Sequence, residues 1–491
     1  MSRRLSVALF AGLCLLFASQ RLQAQPDDVE QSVLQSLTDH RDASWQIAQK
    51  IWQAAEPGYQ ETVSSQLLAD AAEAAGLKVT REVAGIPTAF TAEFGSGHPV
   101  IGILGEYDAL PGLSQQAQPE RLPRADEHNW GHACGHHLFG TASLSAAIAV
   151  ADQIRSGKLP GTVRFYGCPA EEGGSGKVFM VQAGLFNDCD AVLHWHPGSR
   201  NAAGDRSSLA RIAVKFQFEG RTAHAASAPH LGRSALDAVE LTAHASELMR
   251  EHTPDNTRIH HVITSGGEAP NVVPPFAEIY YYIRHPEGRY LKPLYDRLEL
   301  CARAGALATE TQLRIRYEGG IREIMPNSTL TSIVRRRLQT QNDLQWTEAE
   351  QQFAARIQQT LDTKDGLEAL QTVDDVDNTI GKGSTDVGDI SWVVPTTGFT
   401  TVCWVPGTPA HSWQAVAAGG MTIGEKGMHL AARTLALTAV DLFRSPAVLK
   451  QAAAELQQRL GTEKYESLML PGQKPPLDYR NPPKAGAPAT P

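Results

Sequence analysis

Between residues 28 and 80 the apolar positions recur at helical spacing. Val29, Val33, Leu34 and Leu37 are followed by Trp45, Ile47, Ile51 and Trp52, which predicts helices with one buried face. The pattern then shortens. Residues 99–105 (PVIGILG), 162–166 (TVRFY), 191–195 (AVLHW) and 398–405 (GFTTVCWV) are brief apolar runs of buried-strand length. Residues 134–154 form a long Ala-rich helical pattern after the first run. Strands that alternate with helices predict an α/β domain with a mostly parallel sheet and helices on both faces.

The middle of the chain follows another rhythm. Residues 210–220 (ARIAVKFQFEG) alternate apolar with polar, the mark of a half-buried strand. A helical pattern follows at 234–252, strand patterns at 259–265 and 277–284, a helix at 291–308 and a strand at 311–317. The order β-α-β-β-α-β predicts an inserted α+β domain of the split βαβ kind. The expected division is a discontinuous catalytic domain over 28–207 and 320–460, with an insert over 208–319. Residues 320–380 are polar and weakly patterned. Within them Arg335, Arg336 and Arg337 read as a solvated helix face. Residues 471–491 are Pro-rich without apolar periodicity, which predicts a disordered tail.

With 491 residues, the chain is about three times a usual domain, and its 42% hydrophobic content supports a large core. A net charge of -9 argues against a nucleic-acid surface. Residues 1–24 place Arg3 and Arg4 before the apolar run 5–18 and end in Leu22-Gln23-Ala24. That is the order of a cleaved secretory signal, and the run is short for a membrane span. An uncleaved anchor is the alternative. The mature chain is then expected to be exported, in a bacterium to the periplasm, with no membrane span of its own. Cleavage removes Cys14 and leaves five cysteines, so at least one is unpaired internally.

Acids and imidazoles cluster just past the strand runs. Glu106 and Asp108 follow the first, Glu171 and Glu172 the second, His194 and His196 close the third, and His411 follows the fourth. Parallel sheets bind ligands at the carboxyl ends of their strands, so four segments are expected to deliver these groups to one edge. In Gly131-His132-Ala133-Cys134-Gly135-His136-His137 a thiolate and an imidazole two residues apart can share a metal ion. The plainer reading is a buried Cys beside capping histidines, and a Cys134 nucleophile also stays open. In Pro169-Ala170-Glu171-Glu172-Gly173-Gly174 one Glu can bind metal while its neighbour serves as general base. An isolated Glu-Glu pair is more often an exposed turn. The following Gly-Ser-Gly-Lys is no phosphate loop, because Glu171 stands where the first Gly is required and Val178 where Ser or Thr is.

These stretches, with residues 104–114 (LGEYDALPGLS), 163–180 (VRFYGCPAEEGGSGKVFM), 225–239 (AASAPHLGRSALDAV), 383–392 (GSTDVGDISW) and 407–414 (GTPAHSWQ), resemble a known family. It is the metal-dependent amidohydrolase and peptidase family of aminoacylases, hippurate hydrolases, auxin-conjugate hydrolases and carboxypeptidase G-type enzymes. The resemblance implies two divalent metal ions, Mn or Zn, on Cys134, His136, Glu172, His196 and His411, with His196 rather than His194 as ligand. It implies Glu171 as catalytic base and Asp108 as the acid orienting the site. It implies that His224 polarises the scissile carbonyl, often across a dimer, and that Asn271 and Arg284 bind the substrate's carbonyl or carboxylate. For Arg284 an ordinary strand ion pair is the plainer reading. The insert would act as lid and dimerisation domain, in a homodimer or in a heterodimer with a homologous subunit.

The activity implied is hydrolysis of the amide of a small N-acyl amino acid, foremost p-aminobenzoyl-glutamate to p-aminobenzoate and glutamate. Export is unusual for salvage of a folate fragment, so an exported dipeptidase or N-acyl-amino-acid amidase stands beside it. A non-catalytic partner subunit of a hetero-oligomeric hydrolase is the alternative of another class.

Overall fold

The computed structural model describes residues 27–480, apart from Glu127 and Lys364. The expected signal segment, 1–24, and the last residues of the expected tail, 481–491, lie outside the described residues. The helices Asp28–Asp39, Arg41–Ala54 and Thr62–Ala74 come first. Asp27 caps the first by accepting the Val29 and Glu30 N–H groups, and Val29, Val33 and Leu37 face the core as their spacing predicts.

The main sheet has eight strands, four of them forming a parallel centre. Gly161–Cys168, Val100–Glu106, Ala191–Gly198 and Thr396–Val402 lie side by side in that order. Phe90–Ser96 and Lys78–Arg81 extend one side as antiparallel strands. The short Ala202–Ala203 and Asp374–Asp375 finish the other. Every residue of Val100–Glu106 is buried, as a central parallel strand covered on both faces requires. The Ala-rich helix His136–Arg155 packs on this strand and on the long helix Thr422–Arg444. Its small residues permit the close approach: at Gly140 a Cβ would stand 2.7 Å from the Glu106 carbonyl.

The second sheet contains Arg258–Ser265, Phe276–His285, Ala210–Glu219 and Gln312–Ile321, in that order and all antiparallel. Its helices are Ala235–Arg250 and Leu291–Thr309, so the β-α-β-β-α-β sequence is realised. The alternation of 210–219 is explained by its two faces. Ile212, Val214, Phe216 and Phe218 join Ile279, Tyr281 and Ile283 in a separate core with those helices. Arg211, Lys215, Tyr280, Tyr282 and Arg284 take the alternate positions and so share the opposite face.

Two expectations are corrected. Arg337 is not part of a solvated face. Its side chain is 14% exposed and pairs with Asp441 and Glu30, because the helix Ser328–Gln341 packs on Thr422–Arg444. Residues 471–480 are not a loose tail either. The Tyr479 ring meets Tyr59 edge to face at 5.7 Å, and Gln473 donates to the Tyr317 carbonyl at 3.2 Å. A few anchoring contacts suffice where periodicity is absent. Among the described residues, no cysteine is in a disulfide and no helix is long and apolar enough to cross a membrane.

Candidate active site

The four parallel strands release their acids and imidazoles along one edge. Glu106 ends Val100–Glu106, Glu171 and Glu172 follow Gly161–Cys168, His196 lies near the end of Ala191–Gly198, and His411 follows Thr396–Val402. Cys134 and His136 arrive on the turn that starts the His136–Arg155 helix. Gly135 makes that turn with φ 76°. A Cβ there would meet Pro197 at 2.7 Å, so glycine is required by both conformation and space.

Two donor groups result. Cys134, His136 and His196 each offer a ligand atom within 4.8 Å of the others, and so do Cys134, Glu172 and His411. Cys134 belongs to both, which suits a thiolate shared between two ions. The sulfur stands 3.4 Å from His196 Nε2, and His411 Nε2 stands 3.3 Å from Glu172 Oε1. A third group joins Glu106, His136 and Glu171.

The other ring nitrogens decide what these imidazoles offer. His136 Nδ1 bonds Asp108 Oδ1 at 2.8 Å, and His196 Nδ1 donates to the Pro197 carbonyl at 2.7 Å. Each Nε2 is thereby turned toward its donor group, the position from which an imidazole binds a metal. The second Asp108 oxygen accepts the Glu172 backbone N–H at 2.8 Å. One buried carboxylate thus sets a ligand from each group. Replacing Asp108 by Ala is expected to weaken metal binding about 10- to 100-fold. Titration against a chromophoric chelator measures this, and an unchanged affinity would remove Asp108 from the role.

The donors fit divalent cations on their own chemistry. His136 Nε2 and Glu172 Oε1 are buried without a hydrogen bond, although Glu106 and His411 lie 3.1 and 3.3 Å from them. Burial, and then the Glu172 carboxylate, push the Cys134 thiol well up, a penalty that a coordinated cation reverses. The mixture of sulfur, imidazole and carboxylate is a standard set for such ions.

The adjacent acids are driven apart. Burial opposes ionisation of Glu172, but the close His411 imidazole and then the charge of His136 bring its carboxyl down to about 2. Burial pushes Glu171 well above the carboxylate range, with Glu106 and then Glu172 adding to it. Neighbouring acids separated in this way suit different tasks. The loop that presents them is bent unusually: Ala170 and Ser175 have φ 57° and 59°. The Ala170 N–H is held at 2.8 Å by Glu61, itself fully buried, so the surroundings impose this conformation.

Other candidates have other positions. The His194 ring lies across Gly398 of the neighbouring strand, where a Cβ would approach it to 2.2 Å. Burial lowers it to about 4, and it enters no donor group. His132 and His137 bond the Ile51 and Gly419 carbonyls and serve as structural supports. Arg284 meets Ser384 Oγ at 2.8 Å and forms no ion pair among the described residues, so the plainer reading for it fails. His224 and Asn271 lie together on the insert, where the Asn271 carbonyl accepts the Ala225 N–H. Both are exposed, and no hydrogen bond or ion pair among the described residues joins them to the donor groups.

Sequence reasoning missed a buried ion cluster. Lys177, fully buried, bonds Glu106 Oε1 at 2.6 Å and Asp386 Oδ1 at 2.7 Å. Glu106 Oε2 lies 3.1 Å from His136 Nε2. It was legible as one of the clustered acids but not as Lys177's partner. The only available signal was a lysine inside an otherwise apolar helix start.

A parallel sheet whose edge gathers a cysteine, three histidines and a glutamate beside a second, half-buried glutamate defines a metal-dependent hydrolase. Residues 102–435 match the peptidase family M20/M25/M40, and the chain belongs to that family. It is 42% identical to one of the subunits of p-aminobenzoyl-glutamate hydrolase of Escherichia coli K12, over 89% of this chain and 95% of that one. It is 31% identical to the Xaa-Arg dipeptidase of Mus musculus, over 85% and 89%. Among solved structures it is similar to a dinuclear metal-binding M20 peptidase of Bacillus subtilis. The TM-score is 0.55 at 17% identity, over 83% of this chain and 99% of the other.

Proposed function

We propose that this hydrolase cleaves the amide bond of an N-acyl amino acid, with p-aminobenzoyl-glutamate as substrate and p-aminobenzoate and glutamate as products. The observation that carries the reading is the pair of donor groups sharing Cys134, with the unpaired carboxyl of Glu171 beside them. The likeness to the E. coli hydrolase supports the substrate. In this reading Cys134, His136 and His196 would hold one ion, and Glu172 and His411 with Cys134 would hold a second. Bound divalent ions supply Lewis acidity, easing proton loss from water and polarising the scissile carbonyl.

The chain's own groups do the rest. Glu171 takes the proton from the attacking water and returns it to the leaving nitrogen, a task suited to a carboxyl with a raised proton affinity. His224 Nδ1 accepts the Ala226 and Ser227 N–H groups at 3.2 Å each, which leaves its proton on Nε2. That N–H is the donor for the developing oxyanion. Its exposed position on the insert implies delivery by domain closure or from a second subunit. Asn271 and Arg284 hold the free α-carboxylate.

Zn suits the thiolate and Mn the carboxylate, and both are within this proposal. The basic, apolar and small-residue order of 1–24 supports export to the periplasm. The E. coli relative is named as one subunit of a hydrolase, which supports a dimer with a homologous chain. The filled ligand positions and Glu171 speak for a chain that is itself catalytic.

The test is release of free amino acid by the purified mature chain, chelated and then given Mn or Zn. The panel is p-aminobenzoyl-glutamate, hippurate and dipeptides. Metal-dependent cleavage with preference for p-aminobenzoyl-glutamate is expected. Preference for dipeptides would install the dipeptidase reading. Cleavage only after addition of a co-encoded homologue would install the partner-subunit reading.

A further inference from the structure

Three arginines gather around Tyr282, near the Glu171-Glu172 pair, without an acidic ion-pair partner among the described residues. Arg211 and Arg284 are directly opposed on neighbouring strands of the inserted sheet, so their side chains leave the same face. Arg211 is 6% exposed. The third, Arg480, comes from the C-terminal segment and donates to the Glu172 backbone carbonyl. Arg211 and Arg284 lie over the Tyr282 ring at 4.8 and 5.3 Å. Arg480 lies over Tyr479 at 4.8 Å.

None of the three forms an ion pair among the described residues, and the Nε of each is buried without a hydrogen-bond partner. Arg211 only reaches Ser175 Oγ at 3.4 Å. Buried guanidinium groups are ordinarily paired, because an unpaired buried charge loses its hydration without compensation. Their mutual field is evident. Burial, and next the Arg211 charge, hold Arg284 below its usual range. Burial alone would raise the Tyr282 phenol, yet Arg211, with Arg480 and Arg284, leaves it lowered.

We infer that Arg211 and Arg480 form a second anion subsite, next to Arg284, that takes the side-chain carboxylate of the leaving amino acid. The inference rests on the hydrolase reading and deepens it. Arg284 engages the α-carboxylate, and the two further guanidinium groups select an acidic side chain. The same charges reject a cationic side chain, which separates this chain from an Xaa-Arg dipeptidase. Arg211 and Arg480 are specificity-determining residues. Arg480 also gives the ordered C-terminal segment a purpose at the site.

The test uses metal-loaded full-length protein and two readouts. The first is the ratio of kcat/KM for N-benzoyl-glutamate over N-benzoyl-alanine. It is expected to exceed about tenfold in the wild type and to fall about tenfold or more in Arg480→Gln and Arg211→Lys, mainly through KM, as loss of a charged hydrogen bond predicts. The second is calorimetric binding of glutarate against butyrate, which needs no turnover. Glutarate is expected to bind more tightly to the wild type and to lose that advantage in both variants. Arg480→Gln lies in a peripheral segment, so it remains informative if Arg211→Lys does not fold. Equal cleavage of the two substrates, or a glutarate preference untouched by Arg480→Gln, would overturn the subsite. Failure to cleave any benzoyl-amino acid, with glutarate preference intact, would sink the hydrolase reading and leave the subsite standing.

Discussion

Glu171→Gln is expected to lower kcat by about 10²- to 10⁴-fold, the usual contribution of a positioned general base, at unchanged metal content. The substitution keeps the volume and removes only the ability to take a proton. Glu171 belongs to neither of the donor groups that share Cys134, so both ions should remain. The metal-free variant should also melt at the same temperature as the wild type or higher. Burial, Glu106 and Glu172 raise the Glu171 carboxyl well above the ordinary range. For such a group the protonated form stabilises the fold, and that stability is lost as pH rises through the folded-state value. Gln stands in for the protonated form at every pH. Loss of activity with retained or gained stability is the mark of a group kept for chemistry. Activity within tenfold of wild type, with both ions bound, would exclude Glu171 as the base.

Much of this site was legible because its chemistry follows strand ends. The runs at 99–105, 162–166, 191–195 and 398–405 are apolar enough to identify central strands, and each observed strand differs from its run by a few residues at the ends. Once those strands are parallel, their following residues must gather, whatever their separation in sequence. The insert was equally readable, since Ile212 to Phe218 alternate as a one-sided sheet demands. Pairings made by side chains far apart in sequence could not be read. Lys177 and Asp386 are 209 positions apart, and neither periodicity nor a motif connects them. Arg211 begins an alternating strand in which its charge is unremarkable until Arg284 lies opposite. Tyr479 and Arg480 sit in a Pro-rich stretch whose composition resembles disorder. Composition describes average solvation, whereas this segment is placed by individual contacts, Tyr479 on Tyr59 and Arg480 on the Glu172 carbonyl.

Lys177→Met is expected to cost about 3–5 kcal/mol of folding stability, the loss typical when one member of a buried ion cluster is removed. Lys177 is fully buried between Glu106 and Asp386, and Met keeps most of its length while removing the charge. Two carboxylates then face each other in a site that water does not reach. Burial opposes the Lys177 ammonium, but Asp386 and then Glu106 hold it well above its ordinary range, so the cation is the form the fold contains. Denaturant unfolding of the metal-free protein measures the loss. Adding Glu106→Gln should recover part of it, because the second substitution removes one of the stranded charges, and the double-mutant cycle then isolates the coupling. The consequence reaches the site. Glu106 Oε2 lies 3.1 Å from His136 Nε2, and Lys177 holds the other oxygen of the same carboxylate. Without the lysine, Glu106 is free to turn toward His136, so under the proposed metal assignment the single variant should also change metal affinity. A stability loss below about 1 kcal/mol, the scale of an exposed pair, would mean that the two acids share a proton and that Lys177 does not hold the floor of the site.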